Sequence, residues 1–177
     1  MKKIRIKNRK IIIRKAIKSD ASELVNYLNS ISKESDYLTF GEGEVGVTIK
    51  QEEEFIEAAN NKNNSLFIVA QMNGKIIGNL NFSAGERKRI AHTGEFGVSV
   101  LKEYWGNKVG EELVKYLIQW SKSSAVIRKI NLRVRTDNTK AIKLYKKLGF
   151  FEEGIIKRDF LIENKFYDSL SMGLLID

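Results

Sequence analysis

The segment from Val100 to Phe150 constrains the fold most, because it dictates the end of a strand, a tight turn, a helix, a second strand and a second helix in that order. Phe96-Gly97-Val98-Ser99-Val100 is a short apolar run that reads as the end of a strand. Trp105-Gly106-Asn107-Lys108-Val109-Gly110 follows as a glycine-bearing turn. Residues 109–121 then place Val109, Leu113, Leu117 and Trp120 on one helical face. Ile130-Asn131-Leu132-Arg133-Val134-Arg135 alternates with the strand period. A further helix starts at Thr139 with Ala141, Leu144, Tyr145 and Leu148 on one side, and Gly149 is a natural stop. A strand–helix–strand succession calls for a parallel crossover. The turn aims backbone N–H groups and a helix N-terminus at one spot, which suits a diphosphate. The unit therefore points to an enzyme that holds a nucleotide-tailed cofactor.

The flanking sequence adds mainly antiparallel elements. Ile11-Ile12-Ile13 reads as the first strand. Asp20-Ala21-Ser22-Glu23 has the form of a capping box that opens a helix to about Ser30. Residues 31–47 form a loop, and Thr48-Ile49-Lys50-Gln51 is a second capping box for a helix to about Asn60. The acids of Gln51-Glu52-Glu53-Glu54 suit the positive end of that helix. Leu66–Ala70 is a buried strand, Asn73-Gly74 a hairpin turn, and Ile76–Phe82 the antiparallel return. Arg87–Ile90 connects to a strand over Gly94–Val100. Two last strands, about 151–162 and 166–175, are joined by Glu163-Asn164-Lys165. The order β-α-α-β-β-β-α-β-α-β-β predicts an α+β fold with a mixed, mainly antiparallel sheet. Where its parallel neighbours splay, a ligand can enter.

Bulk properties narrow the function. The chain of 177 residues is long enough for one domain with one good core. We expect a basic extension over 1–9 and a single domain over 10–177. No apolar run approaches the roughly 20 residues of a membrane helix, and no apolar stretch follows the N-terminal lysines as in a secretory leader. With no Cys, disulfides and a cysteine nucleophile are excluded, and a cytoplasmic location is expected. One His, at position 92, argues against a His-based metal site and reads as structural or exposed. The net charge of +9 is uneven. Lys2, Lys3, Arg5, Lys7, Arg9, Lys10, Arg14, Lys15 and Lys18 leave 22 of the 31 bases to face 22 acids. Those nine read first as a solvated terminus with a basic-flanked strand. The other reading is an RNA- or ribosome-directed segment, although no aromatic residues for base stacking are interleaved, and nucleic acid is not the expected partner.

These residues resemble the GNAT-fold N-acetyltransferases, which move an acetyl group from acetyl-CoA to an amine. Trp105, Gly106, Asn107, Lys108, Val109 and Gly110 stand in the frame of that family's diphosphate turn. Trp105 replaces Arg or Gln, as in the branch resembling ribosomal-protein alanine and spermidine acetyltransferases. Lys108 replaces a Gly and adds a cation beside the diphosphate. Asn138, Ala141, Leu144, Tyr145, Gly149 and Phe150 match the family's downstream spacing. Lys165-Phe166-Tyr167-Asp168 and Met172-Gly173-Leu174-Leu175 resemble the same branch. The resemblance implies a seven-stranded sheet flanked by about four helices, with a splayed parallel pair holding acetyl-CoA as co-substrate and no metal. It also implies that the Val98 and Val100 backbone pairs with the pantetheine arm, the Val98 amide serves as oxyanion donor, and Asn138 meets the pantetheine or diphosphate end.

With no Cys to carry the acetyl group, the implied reaction is direct attack of the amine. Tyr145 is the candidate acid, since a phenol pKa near 10 lies close enough to that of a thiol to share a proton; by periodicity alone it reads as a core residue. Glu95 is the first choice of base, although its side chain faces opposite to Phe96 and Val98 unless a bulge intervenes. Glu42 and Glu44 are alternatives that would also bind a cationic acceptor, and each of the three reads equally as a surface carboxylate. Tyr167 lines the acceptor pocket or caps the last strand. The acceptor is left open among a small amine, an amino acid, a polyamine and a protein N-terminus. A non-catalytic CoA-binding module is the alternative function, and a homodimer through the C-terminal strands is a further candidate assembly.

Overall fold

A computed structural model describes residues 1–6 and 9–177. Lys7, one of the nine N-terminal bases, lies outside the described residues. In chain order the elements are β1 (Lys2–Ile6), β2 (Arg9–Lys15), α1 (Ala21–Ile31), α2 (Ile49–Asn60), β3 (Ser65–Met72), β4 (Lys75–Ala84), β5 (Thr93–Val100), α3 (Val109–Ser123), β6 (Lys129–Arg135), α4 (Thr139–Lys147), β7 (Phe151–Ile162) and β8 (Lys165–Leu175). They build one sheet in the order β1-β2-β3-β4-β5-β6-β8-β7. Among the described residues only β5 and β6 run parallel; every other neighbouring pair is antiparallel.

The sheet has eight strands where seven were expected. The additional one is β1, paired with β2 from Lys2↔Ile13 to Ile6↔Arg9. Its alternation of Lys3, Ile4, Arg5 and Ile6 has the strand period, and Ile4 packs against the core. The density of charge hides that period in a reading that weighs apolar runs.

Two layers of helix cover opposite faces. α3 and α4 bury a face built from Ile13, Ile68, Leu80, Phe82, Phe96, Leu132 and Met172. α1 and α2 cover Phe67, Val69, Ile76 and Leu101. β3 is buried on both sides, which is why Leu66–Ala70 reads as an unbroken apolar run. Each fully buried Leu, Ile or Phe of these layers contributes about 1.5–3 kcal/mol of transfer free energy.

Local signals behave unequally. The Thr48 capping box forms: Gln51 N–H donates to Thr48 Oγ1 (3.2 Å) and Thr48 N–H to Gln51 Oε1 (2.9 Å). The Asp20 box does not. Asp20 accepts instead from both ends of the Arg14 guanidinium (2.6 and 2.8 Å) and from Ile17 N–H (2.9 Å), while Glu23 accepts from Ile76 N–H (2.6 Å). A charged, bidentate partner outcompetes a helix-end amide. Asn73-Gly74 turns with φ of 51° and 85°, as a two-residue hairpin requires.

Candidate active site

The site begins where the parallel pair comes apart. β5 and β6 pair over Thr93↔Lys129, Gly94↔Ile130 and Glu95↔Asn131 only. Beyond Glu95, β5 pairs with β4 alone and β6 with β8 alone. Gly97 N–H donates to Asn81 Oδ1 (3.3 Å) and Leu101 N–H to Ile77 O (3.0 Å), both toward β4. Strand alternation then turns the N–H and C=O groups of Phe96, Val98 and Val100 toward the gap. This is the edge at which Val98 and Val100 were expected to act. The Val100 carbonyl is already bonded to Trp105 Nε1 at 2.6 Å, so Trp105 closes one end of the edge.

The turn after β5 is built as a cradle. Gly106 has φ +72° and Lys108 φ +62°, and α3 starts at Val109. Glu112 N–H bonds to Lys108 O at 3.0 Å. Among the described residues, the amides of Gly106, Lys108, Val109 and Gly110 have no protein acceptor. Asn107 differs: its N–H bonds to Tyr104 O (3.3 Å) and its Nδ2 to Trp105 O (3.2 Å), so it holds the turn together. Across the gap, Asn138 caps α4, its Oδ1 accepting from Ala141 N–H at 3.2 Å. Two helix N-termini thus follow the C-terminal ends of the two splayed strands, a natural place for anionic groups.

Tyr145 of α4 packs edge-on to Phe96 of β5 (6.0 Å between ring centres) and to Phe150 (5.9 Å). It is 8% exposed, and burial pushes its phenol up to about 12. Burial alone causes that shift, and among the described residues no group of the protein bonds its hydroxyl.

Glu95 faces away from Phe96 and Val98, as strand alternation requires. Its carboxylate meets Arg133 of β6, which lines a cavity of about 710 Å³ between residues 32–44 and the far end of β7. Glu95 Oε1 accepts from Arg133 Nε (3.1 Å), and Arg133 Nη1 donates to Asp159 Oδ1 (3.4 Å). Arg133 and Asp159 line the cavity and were not foreseen; a charged triplet, Lys157-Arg158-Asp159, between the apolar pairs Ile155-Ile156 and Phe160-Leu161 was the signal available. Glu42 and Glu44 also line it, Glu42 paired with Lys33 (3.0 Å) and Glu44 accepting from Gly41 N–H (2.6 Å). Tyr167 is not in that lining. It stacks on the buried Arg135 (3.8 Å), which also lies over Tyr37 (4.9 Å) and donates to Asp36 O (2.8 Å). Tyr167 therefore braces the loop that forms the cavity. His92 contributes its backbone carbonyl, which accepts from Arg128 N–H (2.8 Å) and Lys129 N–H (3.1 Å) at the start of β6. No helix among the described residues is long and apolar enough to cross a membrane.

Comparison with known proteins agrees with this geometry. The acetyltransferase (GNAT) family profile matches residues 28–150. The chain is 31% identical over 106 residues to an L-amino acid N-acetyltransferase of Escherichia coli, covering 60% of this chain and 65% of that protein. It is 28% identical over 109 residues to a spermidine N(1)-acetyltransferase of Vibrio cholerae, covering 62% of each. The chain thus matches just under two thirds of the length of both curated relatives. The crystal structure of a GNAT-family acetyltransferase from Streptococcus pneumoniae superimposes with a TM-score of 0.92 at 37% identity, over 94% of this chain and 99% of that one. A parallel pair that opens beside an amide-lined helix N-terminus, and a profile that spans it, have one explanation: the chain belongs to the acetyltransferase (GNAT) family.

Proposed function

We propose that the chain is an acetyl-CoA-dependent N-acetyltransferase acting on a primary amine. The observation that carries this is the open edge of β5 at Val98, which leads into an amide-lined turn and whose Glu95 is bonded to Arg133 of a carboxylate-lined cavity. The cofactor's nucleotide end fits the unpartnered amides of Gly106, Lys108, Val109 and Gly110 at the positive end of α3. The exposed Lys108 adds a full positive charge there. When bound, acetyl-CoA supplies a thioester whose acyl carbon an amine can attack directly. Holding both reactants in one gap removes much of the entropic barrier.

The chain's own groups then divide the work. The Val98 amide, turned into the gap, donates to the carbonyl oxygen as negative charge develops on it. Tyr145 donates to the departing sulfur. A phenol near 12 is a weaker acid than a thiol near 8.5, so it shares its proton across a hydrogen bond and does not hand it over in advance. Glu95, on the cavity side, takes the proton from the acceptor. Five carboxylates and two cations line the cavity, in a chain of net charge +9; this contrast supports a cationic acceptor. The absence of cysteine suits a cytoplasmic setting.

The test is thiol release from acetyl-CoA against polyamines, amino acids, aminoglycosides and peptides with free N-termini, with wild type and Tyr145→Phe side by side. One amine class should turn over, and the variant should lose about 100-fold in kcat while keeping its stability. Unchanged kcat would remove Tyr145 from the chemistry. Tight CoA binding with no turnover for any amine would favour a CoA-binding module.

A further inference from the structure

A strained stretch of β7 adjoins the cavity wall. Its register with β8 slips between Ile156 and Phe160, so that Lys157, Arg158 and Asp159 stand opposite Asp168 alone. Arg158 has φ +54°, in the left-handed region that non-glycine residues rarely enter. The Asp168 carboxylate holds it there: Oδ1 accepts from Arg158 N–H (3.0 Å) and Oδ2 from Lys157 Nζ (2.8 Å). A bulge of this kind re-aims a side chain that simple alternation would send elsewhere. The side chain it re-aims is Asp159, which meets Arg133 in the cavity wall. Arg133 also holds Glu95. Two carboxylates and one guanidinium therefore meet just past the point where β5 and β6 part, with a net charge of −1.

Asp159 is not satisfied there. Its Oδ2 is buried and has no partner among the described residues. The same holds for two side chains on the adjoining strands, Ser169 Oγ of β8, in a residue with no exposed surface, and Asn131 Oδ1 of β6. A buried carboxylate oxygen without a donor is costly, and a turn of the Asp159 side chain, which is 14% exposed, brings that oxygen to a donor arriving in the cavity and recovers the cost. The bond Asp159 does have, to Arg133 at 3.4 Å, is at the long limit for a charged hydrogen bond.

We propose that Asp159 receives the acceptor's ammonium, an assignment that rests on the amine-acetylation reading above. The incoming cation replaces the long Arg133 contact at Asp159, while Arg133 stays with Glu95 and keeps that carboxylate turned toward the same nitrogen. The bulge clamped by Asp168 is the device that places the receptor. The substrate class that follows is a protonated primary amine that needs no carboxylate of its own to be recognised.

The experiment uses butylamine, spermidine and phenylalanine amide, each with a free ammonium and no carboxylate. Binding is followed by calorimetry with CoA present, thiol release by kinetics, and melting temperature in parallel, for wild type, Asp159→Asn and Asp159→Glu. At least one amine should bind wild type. In Asp159→Asn its Kd and KM should rise by about 10- to 100-fold, the worth of a charged hydrogen bond, with kcat changed by less than about threefold. Asp159→Glu should recover part of the affinity. The melting temperature of Asp159→Asn should hold or rise, because a poorly satisfied buried charge has been removed. A lower melting temperature with unchanged Kd would make Asp159 a structural anchor for Arg133 and overturn the proposal. So would a fall in kcat at unchanged KM, or the failure of all three amines to bind wild type. Amine binding that Asp159→Asn loses, with no thiol release even from wild type, would uphold the ammonium site and overturn acetyl transfer instead.

Discussion

Lys108 shows how much a single position can reveal. The turn needs a left-handed residue before α3, and the chain supplies lysine at φ +62°. An L-residue with a Cβ is disfavoured there by about 1–2 kcal/mol, and glycine returns part of that gain through its larger unfolded-state entropy. Lys108→Gly should therefore raise stability by about 0.5–1 kcal/mol in urea unfolding, and weaken CoA binding severalfold through loss of the charge. No change in the urea midpoint would mean that the turn carries no strain. The position was visible in the sequence as a departure from a glycine-bearing frame; its backbone angle was not. Tyr145 was legible in the same partial way. Its spacing marked it as inward-facing, but only the packing of Phe96 and Phe150 shows a phenol enclosed by rings with its hydroxyl unpartnered. Arg133 and Asp159 were legible only as charges within strands; their meeting was not. Alternation tells which face a side chain takes, and it says nothing about which strand lies alongside or where a register slips.

At the scale of elements, helix periods and turn residues were read well because their physics is local. α2, α3, α4 and the Asn73-Gly74 hairpin each depend on groups within about four residues of one another. The start of α1 failed as a capping box because its cap residue found a better partner six residues earlier. That pair ties β2 to α1 and sets a pH dependence. Burial works to raise the Asp20 pKa, but the Arg14 guanidinium and the Ile17 N–H outweigh it and hold the carboxyl below its ordinary 3.8. A folded-state pKa that is depressed gives stability that is present above about pH 4 and lost as pH falls through the folded value. Asp20→Asn should cost about 2 kcal/mol near neutral pH by breaking a largely buried pair. Its unfolding midpoint should converge on that of wild type as the pH falls below 3.8. A difference that persists unchanged into acid would rule out the ion pair as its source.

For the whole molecule, the uneven charge has a structural account in part. Lys2 of the edge strand β1 reaches Glu112 of α3 at 2.7 Å, Arg14 holds Asp20, and Lys18 meets Glu57 at 3.1 Å. The basic terminus is thus stitched to both helical layers. Binding in the gap should stabilise the whole sheet, because it bridges strands that touch over only three residue pairs. CoA at about a hundredfold excess over its Kd should add about 2.7 kcal/mol to unfolding. A melting temperature indifferent to CoA would count against the amide-lined turn as its seat. The sequence by itself determined the order of the elements after β1, the need for a parallel crossover, the glycine-bearing turn and the family. These follow from periodicity, turn chemistry and motif spacing, all of which act over short stretches of chain. Only the tertiary structure decided the side we propose for the acceptor. Its cavity is assembled from residues as far apart as Ser32 and Glu163, its charges are set by Arg133 between two distant carboxylates, and its wall is shaped by a bulge that Asp168 holds from the neighbouring strand. Such contacts depend on which strands become neighbours and on the register they take, and no local rule of the chain contains that information.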